Sequence, residues 1–329
     1  WYMSMLAWRS LVHQPDCEVF SKPILLQTDP TTDHSAVRRV LKDMLLCRIE
    51  VDDCRFPTRY GHASGLMVAA KEGYTDLVSE LADKANNIDV ACYWRSKALM
   101  LWRSNALMLA AENGHHHAVS VLLEHGANVT IKPEGYAALL HAVQNCHDLV
   151  VSVLLDNGAD PNTRYNDGNT VLTEAAKNCQ PQIISRLLEN GADPNMQSTR
   201  WPWYTPLMMA AETGNNQACL VLLNNGADVN LVTDEDMTAL KMAAKFDQIE
   251  VVKTLLAHGA DINYNLERKN ALILAGNSGY LDTFAFLLDN GADMSSLNNI
   301  GDGYTPLIYA VQSVLKPATA INMIPILLD

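Results

Sequence analysis

Apolar residues in this chain come in short paired runs, spaced three and four positions apart, which gathers them on one face of a helix. Residues 204–230 are representative. Tyr204-Thr205-Pro206-Leu207-Met208-Met209-Ala210-Ala211 opens a first helix, with alanines where two helices must approach closely. Thr213-Gly214-Asn215-Asn216 is a turn. A second helix carries Val221-Leu222-Leu223 and ends at Gly226, which suits a left-handed C-cap. Ala227-Asp228-Val229-Asn230 then leads into a loop. Each run predicts a short helix with one buried stripe.

The unit recurs. Gly-Ala-Asp/Asn stands at Gly126-Ala127-Asn128, Gly158-Ala159-Asp160, Gly191-Ala192-Asp193, Gly226-Ala227-Asp228, Gly259-Ala260-Asp261 and Gly291-Ala292-Asp293, each time after a Leu-Leu pair. The steps between the glycines are 32, 33, 35, 33 and 32 residues. A fixed period of this size marks a stacked array. An array presents a surface that holds something rather than a catalytic pocket.

The pattern resembles the ankyrin repeat: a Thr-Pro-Leu-His opening, two alanines, a mid-repeat Gly, a Leu-Leu pair and Gly-Ala-Asp-x-Asn. The corresponding openings are Ser64-Gly65-Leu66-Met67, Asn105-Ala106-Leu107-Met108, Ala137-Ala138-Leu139-Leu140, Thr170-Val171-Leu172-Thr173, Thr205-Pro206-Leu207-Met208, Thr238-Ala239-Leu240-Lys241, Asn270-Ala271-Leu272-Ile273 and Thr305-Pro306-Leu307-Ile308. The resemblance covers about eight units over residues 61–329, the last truncated. It implies an all-α, helix-turn-helix solenoid with finger loops. Residues 1–60 read as an N-terminal extension with a degenerate capping repeat, in which His34 to Ile49 forms an amphipathic helix. The chain starts at Trp1 and stops where Gly-Ala-Asp would come next, so a fragment of a longer polypeptide is expected.

None of the eight openings keeps the family histidine, which hydrogen-bonds within and between opening turns. These turns are expected to rely on packing instead, with Met as a tolerant filler. The first unit is degenerate, with Ala82-Asp83-Lys84-Ala85 where Leu-Glu-x-Gly is usual. Two spacings are long. Trp94-Arg95-Ser96-Lys97-Ala98-Leu99-Met100-Leu101 is followed by its near copy Trp102-Arg103-Ser104-Asn105-Ala106-Leu107-Met108-Leu109. Only one copy can open a unit; the other must loop out or extend a helix. A contact built on Trp94 and Trp102 competes with a tolerated finger-loop insertion, which costs little in closure entropy. The second excess lies near Ser313 to Thr319.

Composition narrows the function. The net charge of −13 opposes nucleic-acid binding, which depends on cations that neutralise phosphates, and allows a basic partner. No apolar run is long enough to span a membrane. Seven scattered cysteines without a C-x-x-C favour reduced thiols and a cytoplasmic setting, with nuclear or cytoskeletal association compatible. No nucleotide-binding, nucleophile-elbow or zinc-protease motif is present, so no enzyme, cofactor or metal is expected. His115-His116-His117 reads as a repeat turn followed by diverging helical positions. Cys146-His147 replaces the mid-repeat Gly-His. Asp234-Glu235-Asp236 reads as a solvated finger turn, with a cation or a basic peptide as the competing use.

Arrays of this family bind protein partners through finger tips and the concave face of the first helices. The unit-to-unit step of 35 predicts a protruding finger at Arg200, Trp201, Trp203 and Tyr204, residue types enriched at binding hot spots. Tyr136, Tyr165, Asp234, Asp236 and Tyr304 occupy other fingers, and Phe246 is apolar where a polar residue is usual. A track of Tyr165, Trp201 and Phe246 flanked by acids would suit a peptide with apolar anchors and basic flanks. The expected function is that of an adaptor or scaffold. The alternatives are the targeting region of a larger enzyme, ubiquitin ligase or effector, or a structural subunit of a cytoskeletal or ciliary assembly. In the family the asparagines of Gly-Ala-Asp-x-Asn can be hydroxylated, and Leu222, eight residues before Asn230, fits that preference.

Overall fold

The computed structural model describes residues 38, 56–58, 61–95, 101–131, 137–165, 168–178, 181–199, 203–264 and 270–293. These fall in two compact units, one within Trp1–Asp160 and one within Pro161–Asp329. The described residues contain fourteen helices of seven to nine residues and four short strands.

Among the described residues the first unit has three helix pairs: α1 (Gly65–Glu72) with α2 (Thr75–Ala82), α3 (Ala106–Glu112) with α4 (His116–Glu124), and α5 (Ala138–Gln144) with α6 (Asp148–Asp156). The second has four: α7 (Val171–Asn178) with α8 (Pro181–Glu189), α9 (Pro206–Thr213) with α10 (Asn216–Asn224), α11 (Ala239–Lys245) with α12 (Ile249–Ala257), and α13 (Ala271–Ser278) with α14 (Leu281–Asp289). Within each unit first helices pack on first helices and second on second, giving the expected two-layer helical array. Helices this short are marginal alone in water and depend on that packing. The leucines of the opening turns (Leu66, Leu107, Leu139, Leu172, Leu207, Leu240 and Leu272) are all at most 3% exposed.

The first residue of each opening turn caps its helix. Ser64, Asn105, Thr170, Thr205, Thr238 and Asn270 each accept a backbone N–H three residues on, at 2.9–3.2 Å. Ala137, at the same place before α5, has no oxygen to offer. The second helices end on a shared device as well. Asn157, Asn190, Asn225 and Asn290 each donate a side-chain N–H to the carbonyl four residues back, at 2.8–2.9 Å. The His125 and His258 rings stand 2.8 Å from the equivalent carbonyls.

The mid-repeat turn explains its glycine. His115 Nε2 reaches back 2.9 Å to the Lys71 carbonyl, so its ring lies over Gly73, where a Cβ would stand 2.6 Å from it. Gly73 also has φ of 73°, a region costly to other residues. The equivalent Cys146 and Asp247 hold φ of 55° and 58° without being glycine. Asp247 is partly compensated, because its carboxylate accepts the Thr283 hydroxyl at 2.8 Å.

At the tandem duplication the described residues form a strand pair ahead of the opening helix and do not extend that helix. The second copy opens α3. Before it, β3 (Cys92–Arg95), which holds Trp94 and Arg95 of the first copy, pairs antiparallel with β4 (Leu101–Ser104), setting Trp94 opposite Trp102. The preceding hairpin, β1 (Phe56–Thr58) and β2 (Gly61–Ala63), adds to β3 and makes a four-stranded sheet. Of the expected capping helix, Arg38 is described. It is helical, pairs with Asp76 and lies 5.9 Å from the Tyr74 ring centroid. The rest of that helix and the segment at Ser313 to Thr319 lie outside the described residues.

Candidate functional site

The second unit is tied together by two rows of loop side chains. One row is an asparagine ladder. Asn162, Asn195, Asn230 and Asn263 each donate to the carbonyl of the next Gly-Ala-Asp glycine, at 2.9–3.3 Å. Each also accepts the N–H of the following aspartate, at 2.7–2.9 Å. An amide alone supplies a donor and an acceptor side by side. Asn230 therefore has both ends of its amide engaged, and Leu222 is fully buried.

The other is the row of finger turns. Arg164 donates to the Gly168 carbonyl within its own finger and to the Gln197 carbonyl in the next, at 2.9 and 2.6 Å. Gln197 donates onward to the Val232 carbonyl at 3.0 Å. Neither residue stands out in the sequence, since loop polar residues give no periodic signal.

The former histidine position is filled in several ways. Met67, Met108 and Leu140 are buried and fill space, as anticipated. Thr173 and Lys241 depart from that expectation. The Thr173 hydroxyl lies 2.8 Å from that of Thr170. Lys241 is 2% exposed, and its ammonium donates to the Asp236 carbonyl at 2.7 Å and to its Oδ2 at 2.6 Å. It also stands 4.8 Å from the centre of the Tyr264 ring, a cation–π distance. The Tyr264 hydroxyl is pushed up by desolvation and by a hydrogen bond to the Asp236 carboxylate and its charge. One buried cation thus links two successive fingers. A buried charge is tolerable only with such compensation.

The long finger is where the spacing places it. Two ordinary fingers close from Tyr165 N to the Asn169 carbonyl at 3.2 Å, and from Thr233 N to the Met237 carbonyl at 3.0 Å. The third closes from Ser198 N to the Tyr204 carbonyl at 3.0 Å, which accommodates two more residues. Trp203 ends it with φ of 55°, and both Trp203 and Tyr204 are half-buried. Desolvation first, then the charges of Glu212 and Glu235, push the Tyr204 hydroxyl up.

The candidate contact residues separate. Asp234 and Glu235 are exposed, and Phe246 is 38% exposed with the Lys245 ammonium 5.4 Å from its ring. Tyr165 and Asp236 are turned inward. Tyr165 is 9% exposed and donates its hydroxyl to Glu174 Oε2 at 2.8 Å. Asp236 is 4% exposed and holds Lys241. The aromatic track thereby loses its first member, and Asp234-Glu235-Asp236 is not uniformly solvated. Tyr136, Arg200, Trp201 and Tyr304 lie outside the described residues. Among the described residues no group of three His, Cys, Asp or Glu side chains could hold a metal ion. No described helix is long and apolar enough to cross a membrane.

Helix pairs of constant period, joined by ladders and fingers, define a repeat protein of the ankyrin class. A profile described as ankyrin repeats (3 copies) matches residues 66–165 and 172–266, more than half of the chain, which belongs to this family. A fowlpox virus protein named putative ankyrin repeat protein FPV244 is 35% identical over 109 residues, 33% of this chain and 16% of that protein. The Caenorhabditis elegans ankyrin repeat and KH domain-containing protein mask-1 is 40% identical over 89 residues, 26% of this chain and 3% of its own length. The chain thus matches only a small part of these relatives. The crystal structure of the human ASB11 ankyrin repeat domain superposes with a TM-score of 0.58 at 24% identity. It covers 67% of this chain and 97% of that domain, and supports the fold alone.

Proposed function

We propose that the chain is a non-catalytic protein-recognition module that binds a protein or peptide partner through its finger turns and the open face of its first helices. Ankyrin repeats are protein-interaction modules, and the observation that carries this reading is the tied row of fingers. Arg164, Gln197 and Lys241 hold successive turns in register, while Asp234 and Glu235 remain exposed at a tip. Turns already held in register reduce the ordering cost of binding. The contact set is Arg200, Trp201, Trp203, Tyr204, Tyr136, Asp234, Phe246 and Tyr304, with Tyr165 and Asp236 as internal supports. The setting is cytoplasmic, and the partner carries basic flanks.

A second reading is that the chain is the targeting region of a larger protein, with the same contact set. The test is affinity capture from source-cell lysate with quantitative mass spectrometry, wild type beside Trp201→Ala/Trp203→Ala. Circular dichroism verifies that the variant is folded. Loss of one protein from the variant alone supports the reading and the long finger. Equal capture by both removes that finger from the contact set.

A further inference from the structure

The first-helix face of the second unit has one stretch where apolar and anionic side chains coincide. Pro206, Leu207, Met208, Ala210 and Ala211 of α9 are buried, so its open face consists of Met209 and Glu212 with the terminal Thr213. Met209 and Glu212 are three residues apart and therefore share that face. Tyr204 enters the helix from the long finger, and its hydroxyl lies within electrostatic reach of Glu212 and of Glu235 on the following finger. Met237, which ends that finger, is half-exposed as well. Among the described residues Glu212 has no hydrogen-bond or ion-pair partner for its carboxylate.

The neighbours define how much positive charge this surface accepts. The positions equivalent to Glu212 on the flanking helices are Lys177 and Lys245, and both are exposed. At this position the open face therefore runs plus, minus, plus across α7, α9 and α11; Glu174, one turn earlier on α7, is engaged by Tyr165 and Asn178. A run of cations would meet Lys177 and Lys245, whereas a single one meets Glu212. Complementarity of this kind selects partners by penalising the wrong charge as much as by rewarding the right one.

We infer that the open face of α9 and the finger after it dock an extended peptide segment with one central arginine or lysine. Glu212 receives the cation, Tyr204 supplies an aromatic wall, and Met209 and Met237 take the apolar residues beside it. This rests on the module reading above. For the segment on α9 it replaces the basic flanks of that reading with a single central cation between apolar residues.

The test begins with selection of short random peptides displayed on phage against the 329-residue chain. Enriched peptides are then synthesised and titrated by fluorescence anisotropy against wild type, Glu212→Lys, Glu235→Lys and Tyr204→Ala. Enriched peptides should carry one Arg or Lys beside apolar residues. Their affinity should fall about tenfold in Glu212→Lys, the scale of one lost charge-assisted hydrogen bond, and should weaken as salt is raised. Circular dichroism and unchanged thermal unfolding exclude a folding defect. Peptides that bind without a basic residue, or equally to wild type and both charge-reversal variants, overturn the inference and leave the module reading standing. A selection that yields no binder overturns both.

Discussion

The two units use the same helices but are tied differently at the Gly-Ala-Asp edge. In the second, four successive asparagines bridge four successive junctions with paired bonds. In the first, the equivalent residues are Asp89 and Thr130. Asp89 accepts the Asn128 N–H at 3.0 Å but, as a carboxylate, has no amide to donate. Thr130 spends its hydroxyl on Asn128 Oδ1 at 2.7 Å. The first unit also carries the uncapped Ala137 and the hairpin at the tandem duplication. Local bonding is uniform in one unit and patched in the other, although the hydrophobic pattern is the same. The difference teaches that the apolar stripe makes the helices, while a few loop side chains determine how firmly neighbouring repeats hold together.

The most damaging change is expected at the buried cation. Lys241→Met leaves Asp236 buried without its counter-ion and should cost about 3–5 kcal/mol in denaturant unfolding. The double variant Lys241→Met/Asp236→Gly should recover most of this. It removes both charges and gives φ of 60° to a glycine. Acid should act next, and on the first unit. Desolvation pushes the half-buried His141 imidazole down to about 4, and lowers that of His115 as well. A histidine lowered on folding is protonated first in the unfolded chain. Its stabilisation is intact above about pH 6.5 and is lost as pH falls from there through 4. Hydrogen exchange across that window should rise earlier in residues 137–156 than in 206–257, and His141→Gln should reduce the difference.

Smaller effects come from single bonds. Asn195→Ala removes two inter-repeat hydrogen bonds and should cost about 1–2 kcal/mol. Thr130→Asn should gain up to about 1 kcal/mol by installing the missing rung in the first unit, which would bring the two ladders closer. Ala137→Ser supplies the missing helix cap on an extended backbone, φ −104° and ψ 155°, and should also gain about 1 kcal/mol. Urea midpoints with unchanged slopes would separate these gains from changes in the unfolded state.

Much of the fold was legible because helices, turns and period leave repeated marks. Leu207, Ala210, Gly226 and Asn230 recur as a set, and the extra length at Ser198 to Tyr204 followed from counting. What was not legible lacks a period. Lys241 at an apolar-looking position carried no sign that Asp236, five residues earlier, would turn inward to meet it. Tyr165 reads as a surface aromatic until Glu174, on the next helix, takes its hydroxyl. The hairpin made by the duplication could not be anticipated, because a copied segment that pairs with its source looks the same in sequence as one that loops out. Glu212 was visible as a first-helix residue. Its significance depends on Tyr204, whose hydroxyl feels the charges of both Glu212 and Glu235.

The central claim is that repeat cohesion and partner recognition reside in different side chains of the same unit. Thermal unfolding and peptide titration of Asn195→Ala and Glu212→Lys, measured side by side with a selected basic peptide, test it directly. Asn195→Ala should lower the Tm and leave the affinity unchanged, while Glu212→Lys should leave the Tm and weaken the affinity about tenfold. Parallel loss of both properties in both variants would contradict the separation.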